Sequence, residues 1–121
     1  MKESLIYSKA FDFAIEIVNL YKYLFFEKKE YVLSKQVLRS GTSIGANIKE
    51  ALQASSKRDF LMKMNISLKE ASETEYWLEL LKATKYIDDK DSYGMINQCK
   101  EINRILNSIV KTTKNQLQID K

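Results

Sequence analysis

Hydrophobic residues recur at three- and four-residue intervals along nearly the whole chain, the spacing that places them on one face of an α-helix. Three short polar stretches interrupt this pattern and divide the chain into four helical segments. We predict helices at residues 5–26, 31–54, 57–86 and 93–114. Short connections between long amphipathic helices favour antiparallel neighbours. The sequence therefore predicts an all-α protein, residues 1–121 forming one domain, an up-and-down antiparallel four-helix bundle.

The first predicted helix is more apolar than a bundle helix needs to be. Most of its positions are apolar, and its polar residues form a narrow stripe of Lys9, Asp12, Glu16, Asn19 and Lys22. A helix on one side of a bundle buries a stripe of about 100°. The remaining apolar surface predicts that the helix contacts a second partner, and a further copy of the chain is the simplest such partner.

Polar residues at the breaks are suited to cap the helices that follow them. Ser56 stands immediately before the third helix, and Asp59 lies in its first turn. A serine at this position accepts a hydrogen bond from a backbone N–H, and an acidic residue is attracted to the positive end of the helix dipole. The acidic stretch 87–92 is expected to cap the fourth helix in the same way.

Gly41 and Gly45 lie four residues apart in the second helix and therefore share one face. A glycine inside a helix costs about 1 kcal/mol relative to alanine, so the pair needs a packing or functional reason. Small residues at this spacing let two helices approach closely, and we predict such a crossing here. A phosphate-binding loop is the alternative, but neither a preceding strand nor a Gly-Lys-Ser/Thr ending accompanies the glycines.

Glu75 falls on the apolar stripe of the third helix, at heptad-like spacing from Leu61 and Leu68. A buried carboxylate needs hydrogen-bond donors. Arg39 or Asn47 of the second helix would supply them, and we predict a polar clasp between the two helices. A general-base role for Glu75 is the alternative, which is disfavoured because structural networks also perturb carboxylates.

The composition narrows the possible chemistry. The chain has no histidine and one cysteine, which removes Ser-His and Cys-His catalysis, the Glu-x-x-His di-iron pattern and any zinc site worth proposing. Cys99 lies on the apolar stripe of the fourth helix and is predicted to be a small buried hydrophobic residue. A single cysteine suits the reducing cytoplasm, and no apolar run approaches the roughly 18 residues of a membrane span. We therefore predict a cytoplasmic protein without metal, cofactor or membrane partner.

The basic residues are unevenly distributed. The net charge of +4 permits a polyanionic partner without requiring one, but the second and fourth helices carry most of the basic surplus. Contacts from such residues to phosphates are salt-sensitive and largely independent of sequence. An ordinary solvated face is the alternative, although copies arranged around an axis would sum to a stronger field. The candidate phosphate contacts are Lys35, Arg39, Lys57, Arg58, Lys100, Arg104 and Lys111.

Three stretches of the sequence carry a family resemblance: LRSGTSIGANIKEA at 38–51, SSKRDFLMKM at 55–64 and EASETEYWLELLKATKYI at 70–87. Through them the chain resembles the four-helix-bundle family named for proteins encoded in 23S ribosomal RNA intervening sequences. That family is similar in turn to the accessory protein of diversity-generating retroelements. Many relatives have proline at the position of Gly45 and a glycine-rich turn at 51–54, so a smoother second helix is expected here.

The resemblance implies an up-and-down bundle, assembled in many relatives as a ring-like homopentamer, with no established catalytic activity. In the retroelement branch it implies binding to nucleic acid and to a reverse transcriptase. We therefore expect a non-enzymatic homo-oligomer, with a pentamer favoured, that acts as an accessory to RNA, DNA or a ribonucleoprotein. The alternative is a protein-interaction scaffold that binds no nucleic acid. A histidine-free enzyme that uses Glu73 or Glu75 is the least favoured class.

Overall fold

A computed structural model of the protein contains four long helices: α1 (Lys2–Lys22), α2 (Leu33–Leu52), α3 (Lys57–Ala83) and α4 (Asp89–Ile119). The structure describes the backbone of residues 2–119 and the side chains of residues 5–118, so the ends of the predicted domain lie outside it. Each helix packs against the next, and α1 also packs against α4. Short connections make successive helices antiparallel. The predicted all-α, up-and-down four-helix bundle is confirmed.

Two helices begin where side chains cap them. Ser56 Oγ accepts a hydrogen bond from the backbone N–H of Asp59 at 3.1 Å, as predicted for the start of α3. Asp88 Oδ1 accepts the backbone N–H of Asp91 at 2.7 Å, so α4 begins at Asp89, inside the acidic stretch and before the predicted start. The helix continues beyond the predicted end at residue 114, because neither glycine nor proline occurs late in α4 to stop it.

A π-helical turn, Tyr23–Glu27, follows α1 in place of the predicted α-helix to residue 26. The backbone N–H of Lys28 closes this wide turn by donating to Tyr23 O at 3.1 Å. Glu30 then caps α2, since its Oε1 accepts the backbone N–H of Ser34 at 2.7 Å. This cap places the start of α2 at Leu33, slightly later than predicted.

The core consists of one apolar stripe from each helix. Fully burying an aliphatic or aromatic side chain of this kind stabilises the fold by about 1.5–3 kcal/mol. Among the described side chains, every charged group reaches solvent at least in part. The largest fully buried side chains include Phe13 and Ile17 of α1, Ile44 and Ile48 of α2, Met64 and Leu78 of α3, and Ile102 and Leu106 of α4.

The buried stripe of α3 differs from the predicted heptad-like stripe. Ser67 and Thr74 are fully buried, whereas Leu61, Leu68 and Glu75 are half-buried at its edge. The buried residues of α3 are Met64, Ser67, Ala71, Thr74, Leu78 and Leu81, at alternating spacings of three and four residues. The core-facing side of α3 is therefore rotated from the predicted one, towards the small hydroxyl residues and away from the carboxylate.

Hydroxyl groups join α2 to α3 inside the core. Ser67 Oγ donates to Ile44 O at 2.8 Å, and Thr74 Oγ1 donates to Ser40 Oγ at 2.9 Å. Each of these buried hydroxyls thereby avoids the cost of an unmade hydrogen bond. The interface between α2 and α3 is therefore partly polar, and these hydroxyl groups form hydrogen bonds within it.

Ser34, in the first turn of α2, is fully buried, but its Oγ has no hydrogen-bond partner among the described residues. An unsatisfied buried polar group costs about 1–3 kcal/mol. We therefore expect Ser34→Ala to raise the free energy of unfolding by about 1 kcal/mol, as measured by urea denaturation followed by circular dichroism. Ser67→Ala, which removes a satisfied hydroxyl, should lower it. Destabilisation by both substitutions would contradict the assignment of Ser34 as unsatisfied.

Candidate nucleic-acid interface

α4 exposes a line of cationic side chains, Lys100, Arg104, Lys111 and Lys114, which we call the α4 cationic face. Their spacings of four, seven and three residues place them on one side of the helix. At a rise of 1.5 Å per residue they span about 21 Å. Among the described side chains, none of the four forms a salt bridge. Their charges are therefore available to an external anion.

The C-terminal half of the α4 cationic face has no carboxylate of α4 beside it. Residues 102–119 contain no Asp or Glu, and the exposed amide side chain of Asn107 lies between the cations. Glu101, the nearest acid in sequence, accepts a hydrogen bond from Lys9 of α1 at 2.9 Å. A phosphate approaching the C-terminal half of α4 would thus meet cations and amides.

The start of α3 adds Arg58 to the end of this face. A cleft of about 190 Å³, which we call the lower cleft, is lined by Arg58, Leu61, Lys114, Leu117 and Gln118. The two leucines are half-buried, whereas the two cations and the amide are exposed. The lower cleft therefore combines an apolar floor with a polar, cationic rim.

The opposite end of the α3–α4 side carries both signs of charge. A second cleft, of about 610 Å³, is lined in part by Lys82, Lys85 and Lys100 together with Glu79 and Asp89. The two carboxylates would oppose a bound phosphate here, unlike at the lower end. Lys82 and Lys85 are absent from the predicted set because only the contact between the helices brings them beside Lys100.

The predicted phosphate contacts divide between two sides of the bundle. Lys100, Arg104 and Lys111 lie on the α4 cationic face, and Arg58 lies beside it across the lower cleft. Lys57 is exposed next to Arg58 and already has an interaction partner in the chain. Lys114 is missing from the predicted set, although its spacing of three residues from Lys111 would have indicated it.

The other two predicted contacts, Lys35 and Arg39, belong to α2 and have intramolecular partners. Lys35 Nζ lies 5.9 Å from the centre of the Phe25 ring, a cation–π distance. Arg39 donates hydrogen bonds to Glu70 at 3.0 Å and to Glu73. Two carboxylates around one guanidinium leave a net negative group, which is unsuited to a phosphate. Arg39 is therefore unsuited to a phosphate contact, and Lys35 lies on α2, which does not adjoin the α4 cationic face.

A polar clasp does join α2 to α3, through Arg39, Glu70 and Glu73. Trp77 Nε1 also donates to Glu73, at 2.9 Å. This hydrogen bond, followed by that from Arg39, lowers the pKa of the Glu73 carboxyl. The hydrogen bond to Glu73 in turn raises the pKa of Arg39. Both groups are therefore held in their charged forms.

Glu75 and Asn47, the predicted members of the clasp, take other partners. Glu75 Oε1 accepts a hydrogen bond from Asn103 of α4 at 3.4 Å. Asn47 Nδ2 donates to Ser43 O within α2 at 2.8 Å. The prediction that Arg39 or Asn47 holds Glu75 is wrong, because Glu75 lies at the edge of the α3 core stripe that is next to α4.

Gly41 and Gly45 both lie where α2 packs against α1, but the space beside them differs. A Cβ atom at Gly41 would lie 2.8 Å from Ile17 Cγ2 and 2.9 Å from Ile17 Cγ1. At Gly45 the nearest atom would be Ala10 Cβ at 3.7 Å, an ordinary van der Waals contact. The close approach of the two helices therefore depends on Gly41, and Gly45 has room for a methyl group.

Cys99 is fully buried, and its Sγ lies 3.2 Å from Ala71 O. Burial, followed by the negative charges of Glu75 and Glu79, raises the pKa of the thiol to about 12. Because the thiolate is the reactive form, we expect the folded protein to resist a disulfide reagent such as DTNB at neutral pH, and the urea-unfolded protein to react fully. Rapid reaction under native conditions would contradict this burial.

Apolar side chains are exposed on two sides of the bundle. On α1, Phe11 and Ile15 are 54% and 48% exposed, and we call them the α1 apolar strip. On α3, Met62, Ile66 and Tyr76 are 54%, 37% and 57% exposed and form the α3 apolar strip. Both α1 and α3 pack against α2 and α4, so they stand at opposite corners and their outer sides face opposite directions. The surplus apolar surface predicted for the first helix is present.

Two further kinds of site are missing from the described residues. No cluster of three or more potential metal-ligating His, Cys, Asp or Glu side chains forms among the described residues. No described helix has the length and apolar character required to cross a membrane.

Comparison with known proteins places the chain in a family. The family model for 23S rRNA-intervening sequence proteins matches residues 2–108. The fold is similar, with a TM-score of 0.90, to a crystal structure of a protein of unknown function from the S23 ribosomal protein family of Bacteroides thetaiotaomicron VPI-5482. That protein is 58% identical in sequence, and the match covers 92% of this chain and 99% of that chain. No curated protein matches the chain. The chain belongs to the family of 23S rRNA-intervening sequence proteins.

Proposed function

We propose that the protein is a non-enzymatic, homo-oligomeric bundle of the cytoplasm that binds the phosphate backbone of RNA or DNA and acts as a nucleic-acid or ribonucleoprotein accessory. The α4 cationic face carries this proposal, since its four charges have no salt-bridge partner among the described side chains. Arg58 extends the face across the lower cleft.

Binding through this face is expected to be salt-sensitive and independent of sequence. Each phosphate contact releases condensed counterions, so the logarithm of the binding constant falls with the logarithm of the salt concentration by about 0.9 per contact on duplex DNA and about 0.7 on single strands. Lysine and arginine contacts to the backbone carry no base information. Four contacts therefore give a slope of roughly −3 to −4.

A mobility-shift experiment with unrelated RNA and DNA sequences over a salt series tests the proposal. We expect binding at low salt, similar affinities for sequences of equal length, and loss of the complex as salt rises. If no RNA or DNA binds at low salt, the nucleic-acid function is overturned. Purified oligomer that remains intact while failing to bind would favour the protein-interaction scaffold instead.

The two apolar strips support assembly into a ring. They differ in sequence and face opposite directions, so the α1 apolar strip of one copy would contact the α3 apolar strip of the next. Such a head-to-tail contact generates a closed ring when the rotation between copies permits it. The resemblance described above favours five copies. In a ring the α4 cationic faces repeat around the axis, and their fields add.

Light scattering on purified protein tests the assembly. We expect a mass several times that of one chain at micromolar concentration. Phe11→Glu on one strip and Tyr76→Glu on the other should each dissociate the oligomer, because each removes one half of the same contact. Wild-type protein that is monomeric at this concentration would overturn the ring.

A protein partner such as a reverse transcriptase remains the second candidate function. The observation that favours it is the exposed Phe26, 69% accessible, beside Tyr31 and Val32 at the connection between α1 and α2. The histidine-free enzyme is not supported. Glu73 is held by Trp77 and Arg39, and Glu75 accepts from Asn103, so both carboxylates have structural partners.

A further inference from the structure

The lower cleft has an apolar floor in addition to its cations, and the binding of phosphates requires only the cations. Leu61 and Leu117 give it an apolar floor, and Arg58 and Lys114 reach it from two different helices. Gln118 adds an amide that can both donate and accept hydrogen bonds. An apolar floor between two cations is suited to a flat, uncharged group attached to phosphates.

We propose that the lower cleft receives one unpaired base of a single-stranded nucleic acid, while Arg58 and Lys114 contact the phosphates on either side of that base. This inference rests on the proposed nucleic-acid function and names its substrate class as single-stranded RNA or DNA. Gln118 would meet the polar edge of the base, and the leucines would contact its apolar face.

The lower cleft offers space on the scale of one base. An apolar cavity of about 150 Å³ accommodates one benzene molecule, and the lower cleft, though open to solvent, measures about 190 Å³. With a base in the cleft, the sugar and phosphates would lie at its rim, where Arg58 and Lys114 are exposed. Arg58 can also lie over the base, because guanidinium planes stack on bases.

A duplex would leave this cleft empty. Its bases are paired and stacked inside, so its phosphates would contact the α4 cationic face and Arg58 without filling the cleft. A single strand can fill the cleft and continue along α4. From Lys114, the next cations, Lys111 and Arg104, lie about 5 Å and about 15 Å further along the helix axis.

Fluorescence anisotropy with three ligands of equal length tests the proposal: oligothymidylate, an abasic deoxyribose-phosphate strand and a DNA duplex. We expect oligothymidylate to bind about five- to tenfold more tightly than the abasic strand, near the lower limit for base stacking on a protein, with the same salt dependence. Equal affinities for the two strands, or tighter binding of the duplex at every salt concentration, would overturn the single-strand assignment.

Variants of the lower cleft separate the base contact from the phosphate contacts. Leu117→Ser should reduce binding of oligothymidylate to the abasic level and leave binding of the abasic strand unchanged. Leu52→Ser, at an exposed leucine at the end of α2, is the matched control and should change neither. If Leu117→Ser unfolds the end of α4, as judged by circular dichroism, Leu61→Ser provides the same test from α3. An unchanged preference for oligothymidylate in a folded variant would contradict the base contact.

The phosphate contacts have a separate readout. Arg58→Gln and Lys114→Gln should each reduce the salt slope for the single strand by about 0.7. Unchanged slopes in both variants would contradict their role beside the base. Failure of every polyanion to bind the wild-type protein overturns the proposed function itself, whereas binding without preference for bases overturns only the inference about the cleft.

Discussion

Replacing the four residues of the α4 cationic face with glutamine should weaken binding of nucleic acid by about a thousandfold at 0.1 M salt. Each lost phosphate contact removes about 0.7–0.9 from the salt slope, so four contacts correspond to roughly three orders of magnitude at this concentration. The side chains are exposed and unpaired among the described residues. Anisotropy titrations at several salt concentrations give both the affinity and the slope.

A second quadruple variant with the same change of net charge provides the control. Glutamine at Lys22, Lys28, Lys35 and Lys49 removes four exposed cations from α1, α2 and their connection, and leaves α4 unchanged. This variant should lose only the weak, long-range part of the attraction. Equal losses in the two variants would show that net charge, rather than the arrangement of charge on α4, controls binding. Circular dichroism should show both folded, because exposed substitutions usually change stability by at most about 0.5 kcal/mol.

Gly41→Leu should destabilise the fold by about 3 kcal/mol, the upper part of the range for overpacking a core. Even a Cβ atom at this position would lie 2.8 Å and 2.9 Å from two carbons of Ile17. Ile17 is β-branched and fully buried, so it cannot turn aside. Gly41→Ala should cost about 1 kcal/mol, because the clash outweighs the gain of about 1 kcal/mol in helix propensity. Urea denaturation measures both effects.

Gly45 and Gly94 serve as controls, because alanine at either position is expected to stabilise the fold, whereas alanine at Gly41 is expected to destabilise it. Gly45→Ala should raise the free energy of unfolding by about 1 kcal/mol, since its Cβ would meet Ala10 at an ordinary distance. Gly94→Ala should behave in the same way, because no described atom lies within 4 Å of a Cβ there. In an Ile17→Ala background, Gly41→Ala should become stabilising. Destabilisation by Gly41→Ala in both backgrounds would rule out the contact with Ile17 as the cause.

The fold class could be predicted because hydrophobic spacing reports directly on helical faces. Ile96, Cys99, Ile102 and Leu106 are spaced as a helix requires, and all four are buried. The side of each helix that faces the core was harder to predict. Glu75 follows a seven-residue spacing from Leu61 and Leu68, but all three lie at the edge of the core, and only the packing of α3 against its neighbours shows that the buried stripe runs through other positions.

Contacts within one helix were easier to predict than contacts between helices. Spacing alone brings Lys100, Arg104 and Lys111 together, because they share one helix. The partners of Arg39 depend on how α2 and α3 are rotated towards each other, and sequence spacing contains no such information. The lower cleft likewise exists only because the end of α4 returns to the start of α3.

The difference between Gly41 and Gly45 has the same origin. Each glycine has the same free-energy cost relative to alanine in an isolated helix, and the two lie on one face. The sequence therefore predicts the same role for both, that of allowing a close helix crossing. Their separation into a required and a replaceable glycine depends on which α1 side chain lies opposite, Ile17 or Ala10. Small residues in a sequence can thus indicate a helix crossing without showing which of them sets its distance.

The hydrogen bond from Trp77 to Glu73 also gives the protein an intrinsic optical reporter. Trp77 is the only tryptophan of the chain, and its indole lies on the side of α3 that faces α2. Tryptophan emission responds to a nearby charge and to solvent, so it follows the clasp between Arg39 and Glu73 without any added label. A ligand on α4 does not touch this indole. A change in emission when an oligonucleotide binds would therefore report a rearrangement transmitted through the bundle, and constant emission would indicate that the bundle binds as a rigid body.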